Sequence, residues 1–226
     1  MTKFGILITS ALASTAFGAI GWAPPQAAVA QRLANEAMYI EYFPRRGVAT
    51  LVVEVEADES VDSLDVFSPV GDPYLRVRAL RGQNQGLSGF KVESRETALA
   101  QLLAQSEVGA YFLSVRTRSG GLLQGTAALS HVLPPTPPVT FPTNDDHTLP
   151  ASGFTITWNT VPGAVGYRIG LEQGETDTLA VRLAAGSTSF QVPNGVLTTG
   201  AEAHLEVIAV GANGNQTVAE RDFMVQ

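Results

Sequence analysis

Cysteine is absent from the 226 residues, which excludes disulfides, thiol catalysis, thiolate metal sites and a lipid-modified cysteine. Charge is scarce as well, at 15% of residues, and it is unbalanced: 14 Lys and Arg face 21 Asp and Glu, for a net charge of -7. An acidic chain gains nothing from the field of nucleic acid or of an anionic membrane face, so neither is expected as a partner. Also missing are G-x-S-x-G, H-E-x-x-H and a glycine-rich phosphate loop. No catalytic residue, no cofactor and no metal site is therefore expected, and the sequence names no reaction and no ligand.

What is present is apolar material, 45% of residues, with Gly 22 and Pro 13, the composition of a turn-rich β protein with real cores. Residues 1–30 differ from the rest. Lys3 is their one charge, an apolar stretch FGILITSALASTAFGAIGW follows, and Ala28-Val29-Ala30 closes it. That order of a basic start, an apolar run and a small-x-small site reads as a signal peptide. The other reading is an uncleaved anchor, which the many Ala, Ser, Thr and Gly residues make a weak span. Cleavage leaves a chain starting at Gln31, with no membrane insertion, placed in the periplasm or secreted from a bacterium.

The clearest boundary is LPPTPP, residues 133–138, whose prolines remove backbone donors and favour an extended spacer. Before it, AMYIEYF, VATLVVEVEA, SLDVFS, YLRVRAL, GAYFLSVRT and LLQGTAALS alternate apolar with polar residues. SRETALAQLLAQSEVG breaks that rhythm with i, i+3, i+4 spacing, predicting one short helix with Ser94 as N-cap. After the spacer, FTITW, YRIGL, TLAVRLA, TSFQV, AHLEVIAV and VAERDFMV follow, with turn signals between them. The expected fold class is all-β, two tandem β-sandwich domains after the signal peptide: 31–133 with the helix, a linker at 134–138, and 139–226.

The run TITWNTVPGAVGYRIGLE, with later TSFQV, Leu197-Thr-Thr-Gly200 and LEVIAVGANGN, resembles a fibronectin type III-like domain of bacterial exported proteins, within the immunoglobulin-like class. The resemblance implies that Trp158 and Tyr167 pack in the core, joined by Leu205 and Val207. The family's L-x-P-G-x-x-Y corner has Thr199 in place of Pro and Ala203 in place of Tyr, so the tyrosine-corner bond is expected to be missing. LSGFKVES, the helix and VGAYFLSVRTRSGGLLQGTAALSHVLPPTPP look like the segment that precedes such a domain in uncharacterised bacterial secreted proteins. An interaction or structural module is implied, with a protein or an envelope polysaccharide as partner.

Six groups of residues invite a chemical reading. The tetrapeptide NDDH, 144–147, and the acidic stretch EADESVDSLD, 56–65, offer oxygen ligands, but turn formation and hydration explain both. Ser130 beside His131 points to the opposite face of a strand, and His204 reads as a surface or inter-domain histidine. GANGNQT, 211–217, reads as hairpin turn chemistry. Arg76, Arg78, Arg81, Arg116 and Arg118 recur on the outer sides of two strands; brought together, they would suit an acidic glycan or another polyanion. Pairing with Glu54 and Glu56, or docking on the acidic second half, is the alternative.

Overall fold

The computed structural model describes residues 31–79, 87–144, 147–174 and 176–226. The expected signal peptide, Arg81, Asp145 and Asp146 lie outside the described residues. In chain order the elements are β1 Gln31–Arg32, β2 Asn35–Phe43, β3 Val48–Glu56, β4 Val61–Phe67, β5 Pro73–Arg78, β6 Gly89–Glu93, β7 Thr97–Ala98 and α1 Leu99–Gln105. There follow β8 Gly109–Thr117, β9 Leu122–Leu129, β10 Val139–Phe141, β11 Thr148–Leu149, β12 Thr155–Trp158 and β13 Ala164–Gln173. The chain then closes with β14 Thr176–Ala184, β15 Ser189–Gln191, β16 Glu202–Gly211 and β17 Gln216–Val225. The all-β expectation holds: each alternating run of the sequence is a strand, and α1 is the one helix among the described residues.

The helix begins later than its spacing suggests. Its N-cap is Ala98, with no side-chain capping bond. Ser94 is drawn away because its hydroxyl accepts the Leu51 N–H at 2.9 Å, and Thr97–Ala98 pairs with Val48 and Ala49 of β3. Backbone pairing to a neighbouring strand outcompetes one more helical turn here, since a helix this short gains little from its own hydrogen bonds.

In the first half, the sheet β1-β9-β8-β4-β5 packs on β2, β3 and β6. Tyr111, Leu113 and Val115 of β8 meet Met38, Ile40, Leu51 and Val53 of β2 and β3 in one buried cluster, and Leu102 of α1 closes its end. In the second half, a three-stranded sheet β10-β12-β15 faces β14-β13-β16-β17. Trp158 and Tyr167 are buried with ring centroids 5.5 Å apart, and Leu205 and Val207 are fully enclosed beside them. Period-2 alternation puts Ile156 with Trp158, and Tyr167 with Ile169 and Leu171, on the inner side of their strands.

The two halves share a sheet. β17 pairs in parallel with β2, Gln216 opposite Glu41 and Thr217 opposite Tyr42, so that the order β14-β13-β16-β17-β2-β3-β6 runs unbroken from one half into the other. Asn215, fully buried, fastens the junction. Its Oδ1 accepts the Ile40 N–H at 2.8 Å, and its Nδ2 donates to the carbonyls of Ser130 at 2.7 Å and Val132 at 2.8 Å. Asn213 Nδ2 reaches the Val132 carbonyl at 2.8 Å, and the Thr217 hydroxyl donates to the Pro134 carbonyl at 2.7 Å. GANGNQT is thus more than a turn: three of its side chains bind the spacer and the first half.

Candidate functional site

Side chains on one face of the shared sheet belong to neither sandwich core. Alternation decides which they are. On β16 the odd residues 203–209 point into the second core, which leaves His204, Glu206 and Ile208 outward; on β17 the outward set is Gln216, Val218, Glu220 and Asp222. Register then sets His204 opposite Asp222, Glu206 opposite Glu220, and Glu172 of β13 opposite His204. From the first half, the β2–β3 turn brings Arg45 and Arg46 to the same place. Phe43 packs under them against Ile208 and Val218, and the Arg46 guanidinium lies 4.3 Å from the Phe43 ring centroid.

The result is an ionic network across the junction. Arg45 Nη1 donates to Asp222 Oδ2 at 2.6 Å; Arg46 Nη1 bonds Glu96 at 2.6 Å, and its Nε pairs with Glu220 Oε1 at 3.0 Å. His204 Nδ1 bonds Asp222 Oδ1 at 2.5 Å, while Nε2 faces Glu206 Oε1 at 3.7 Å and Glu220 Oε1 at 3.8 Å. The Glu206 carboxylate and then, against the opposing cost of burial, the Asp222 carboxylate push the His204 imidazolium up to about 9. At 3.7 Å the Glu206 contribution is an ion pair; the direct hydrogen bond belongs to Asp222. A cleft of about 630 Å³ opens over these groups, lined by three cationic side chains and five carboxylates. Further along the same face, burial and then the Glu206 charge raise the Glu41 carboxyl above its ordinary range.

Glu220 is only 4% exposed, and its Oε2 has no hydrogen-bond partner. Among the described residues, His204, Glu206 and Glu220 form the one group of three such side chains whose ligand-type atoms lie within 4.8 Å of one another. The acidic stretch 56–65 makes no such group: Glu59 accepts the Ser119 hydroxyl at 2.8 Å, and Asp65 is engaged by arginines. Of NDDH, Asn144 and His147 line a neighbouring cleft that also contains Arg45 and Asp222. His131 Nε2 meets the Ser106 carbonyl at 2.7 Å, and the Ser130 hydroxyl accepts the Val132 N–H at 3.2 Å, so these two serve the chain locally.

The arginines named from the sequence are partly gathered. β4 lies between β5 and β8, with Asp65 opposite Arg76 and Ser63 opposite both Arg78 and Arg116. Arg76, Arg78 and Arg116 therefore stand on one outer face; Arg118 is in the turn that follows β8. Glu54 and Glu56 are in the other sheet and do not pair with them. Asp65 does, accepting Arg76 Nε at 2.6 Å and Arg78 Nη2 at 3.1 Å, and both arginines hold its carboxyl below the usual range against the cost of burial. Phe112, 53% exposed, shares this face.

The corner between β15 and β16 is braced without a tyrosine. The Gln173 amide donates to the Thr198 carbonyl and accepts the Thr198 N–H, both at 2.8 Å, while Ala203 is buried where the tyrosine would stand. Three strands facing four, in the order β10-β12-β15 against β14-β13-β16-β17, is the strand arrangement of that sandwich class. The second half has a fibronectin type III-like fold.

No protein-family model matches the chain, and no curated protein matches it. Solved structures to which it is similar are fibronectin(III)-like modules of Clostridium thermocellum CbhA, at 12% identity and TM-score 0.32, covering 89% of this chain and 92% of that one. Chicken CNTN1 FN1-FN3 domains give 13% identity and TM-score 0.30, with 86% of this chain and 65% of that one covered. A tetra-tandem repeat from the extending region of a large adhesion protein gives 16% and 0.31, with 85% and 50% covered. At such overlaps the fold assignment rests on strand order and core packing, and nothing of those proteins' roles transfers.

Proposed function

We propose that the chain is a non-enzymatic exported interaction or structural module of the cell envelope or extracellular space. In this reading its halves, 31–133 and 139–226 joined at 134–138, act as one unit of fixed angle. The observation that supports this is the junction: a shared sheet, a buried Asn215 bonded to both sides, and a charge network that spans them. Two sandwiches that only needed to exist side by side would not require a buried polar clamp, because such a group is costly unless every bond is made. A fixed angle gives the outer faces a defined spacing, which serves a partner that touches both.

The test is made in producing cells. Fractionation and protease shaving are expected to place the chain outside the inner membrane. Photo-cross-linking from Phe112 and Met224, both exposed, is expected to yield a discrete envelope adduct that Asn215→Ala weakens. Recovery only from the cytosol, or adducts indifferent to the clamp, refutes the reading.

A second reading has its own observation, the common outer face of Arg76, Arg78 and Arg116 with Phe112. Here the ligand is an acidic glycan or phosphorylated polymer. Asp65→Asn releases two guanidinium groups and is expected to lengthen retention on an immobilised anionic polysaccharide, while substitution of Arg76 and Arg78 together abolishes it. Retention unchanged in both variants removes this reading and leaves the first intact.

A further inference from the structure

We propose that His204, Glu206 and Glu220 form a binding site for a first-row divalent cation of the zinc class at the junction of the two halves. Three independent features converge on it. The first is donor geometry: one imidazole nitrogen and two carboxylate oxygens, from adjacent strands, converge with His204 Nε2 at 3.7 and 3.8 Å from the two oxygens. Ligands held about 2.0 to 2.2 Å from one ion are about 3 to 3.5 Å apart, so the two His204 distances need to close by only a few tenths of an ångström, and all three ligand atoms already lie within 4.8 Å of one another.

The second is orientation. Asp222 accepts the Nδ1 proton of His204, which fixes the ring and leaves Nε2 facing the carboxylates. A carboxylate behind a histidine in this way is the usual support for a metal-bound imidazole. Asp222 is itself steadied by Arg45 at 2.6 Å.

The third is the orphan. Glu220 Oε2 sits in the interior with no donor, although a buried carboxylate oxygen normally finds one. Arg46 satisfies only Oε1. Oε1 is the oxygen that faces His204, so a cation supplies the missing partner of Oε2 only when Glu220 binds it through both oxygens. A mixed imidazole and carboxylate set suits zinc better than calcium, which prefers six or more oxygens. Arg46, 3.0 Å from Glu220, competes for the same carboxylate and keeps the site weaker than a closed structural one.

The purified chain, titrated with Zn²⁺ against a chromophoric chelator, is expected to bind one equivalent. His204→Ala and Glu206→Gln lose at least about tenfold in affinity, and Asp222→Asn, which touches no ligand position, loses about 10- to 100-fold. Should His204→Ala fail to fold, Co²⁺ added to the parent decides, because nitrogen and oxygen ligation gives visible d–d absorption that the aquo ion lacks in position and strength. A parent with no stoichiometric site, a His204→Ala variant that retains it, or a Co²⁺ spectrum identical to the aquo ion overturns the proposal.

Discussion

Replacing Asn215 by alanine tests the junction directly. Asn215 makes three side-chain hydrogen bonds that connect the β16–β17 turn to Ile40 and to the carbonyls of Ser130 and Val132. Each such bond contributes about 1 kcal/mol net, and the buried Ile40 N–H left without an acceptor costs about 1 to 3 kcal/mol in place of its share. The expected loss is thus about 3 to 5 kcal/mol, large against the whole stability of a domain. Urea unfolding of the chain starting at Gln31 reads it, followed by far-ultraviolet circular dichroism and by the fluorescence of Trp158, the one tryptophan after residue 30. In the parent the two probes coincide, because the halves unfold together. In Asn215→Ala, Trp158 reports the second core alone, and its transition separates from that of the backbone. Asn213→Ala, which loses its exposed bond to Val132 and the 3.2 Å bond from the Asn215 N–H, is the milder comparison and costs about 1 to 2 kcal/mol. Coincident probes and a loss under about 1 kcal/mol in Asn215→Ala would show that the halves are coupled by something other than this side chain.

Trp158→Ala empties the centre of the second core and is expected to cost about 3 to 5 kcal/mol by chemical denaturation, with a partner retained wherever the variant still folds. His204 is raised in the folded state from the ordinary 6.5 to about 9. Its ion pairs therefore contribute fully below about pH 6.5, and that contribution is lost as pH climbs through about 9; denaturation midpoints of the parent fall across this window, and those of His204→Asn stay flatter. Gln173→Ala removes both bonds that brace Thr198 and is expected to cost about 1 kcal/mol, with faster amide exchange at residues 198–200.

Much of the fold was legible because strand alternation is a local signal. Trp158, Tyr167, Leu205 and Val207 could be assigned inward from their neighbours at i±2 alone, and all four are buried. The helix start is not legible at Ser94, because the partner that takes its hydroxyl, Leu51, lies 43 residues away. The same limit hid the clamp, whose Asn215 bonds span 83 to 175 residues and leave no trace in a turn that already reads as Asn-Gly chemistry. The cluster was half legible: His204 with Glu206, and Glu220 with Asp222, each show i, i+2 spacing that puts a pair on one face. Only the register of β16 against β17 brings the pairs together, and only the β2–β3 turn of the other half brings the arginines. Of the five arginines, Arg76, Arg78 and Arg116 share an outer face across β4, while Arg118 lies in a turn; the acid opposite Arg76 is Asp65 and not Glu54, because the intervening strand is β4.

The parallel pairing of β2 with β17 also fixes how the chain answers force. The pair joins the C-terminal end of β2 to the N-terminal end of β17. A pull on β2 toward residue 35 and on β17 toward residue 225 drives the strands past each other along their length. Gln216, Thr217 and the Asn215 bond to Ile40 are then strained together and not one after another. Tension crosses the junction by this route, from strand to strand, while the proline spacer stays slack; a molecule stretched by flow or by a tethered neighbour keeps its angle until that short shear contact gives way.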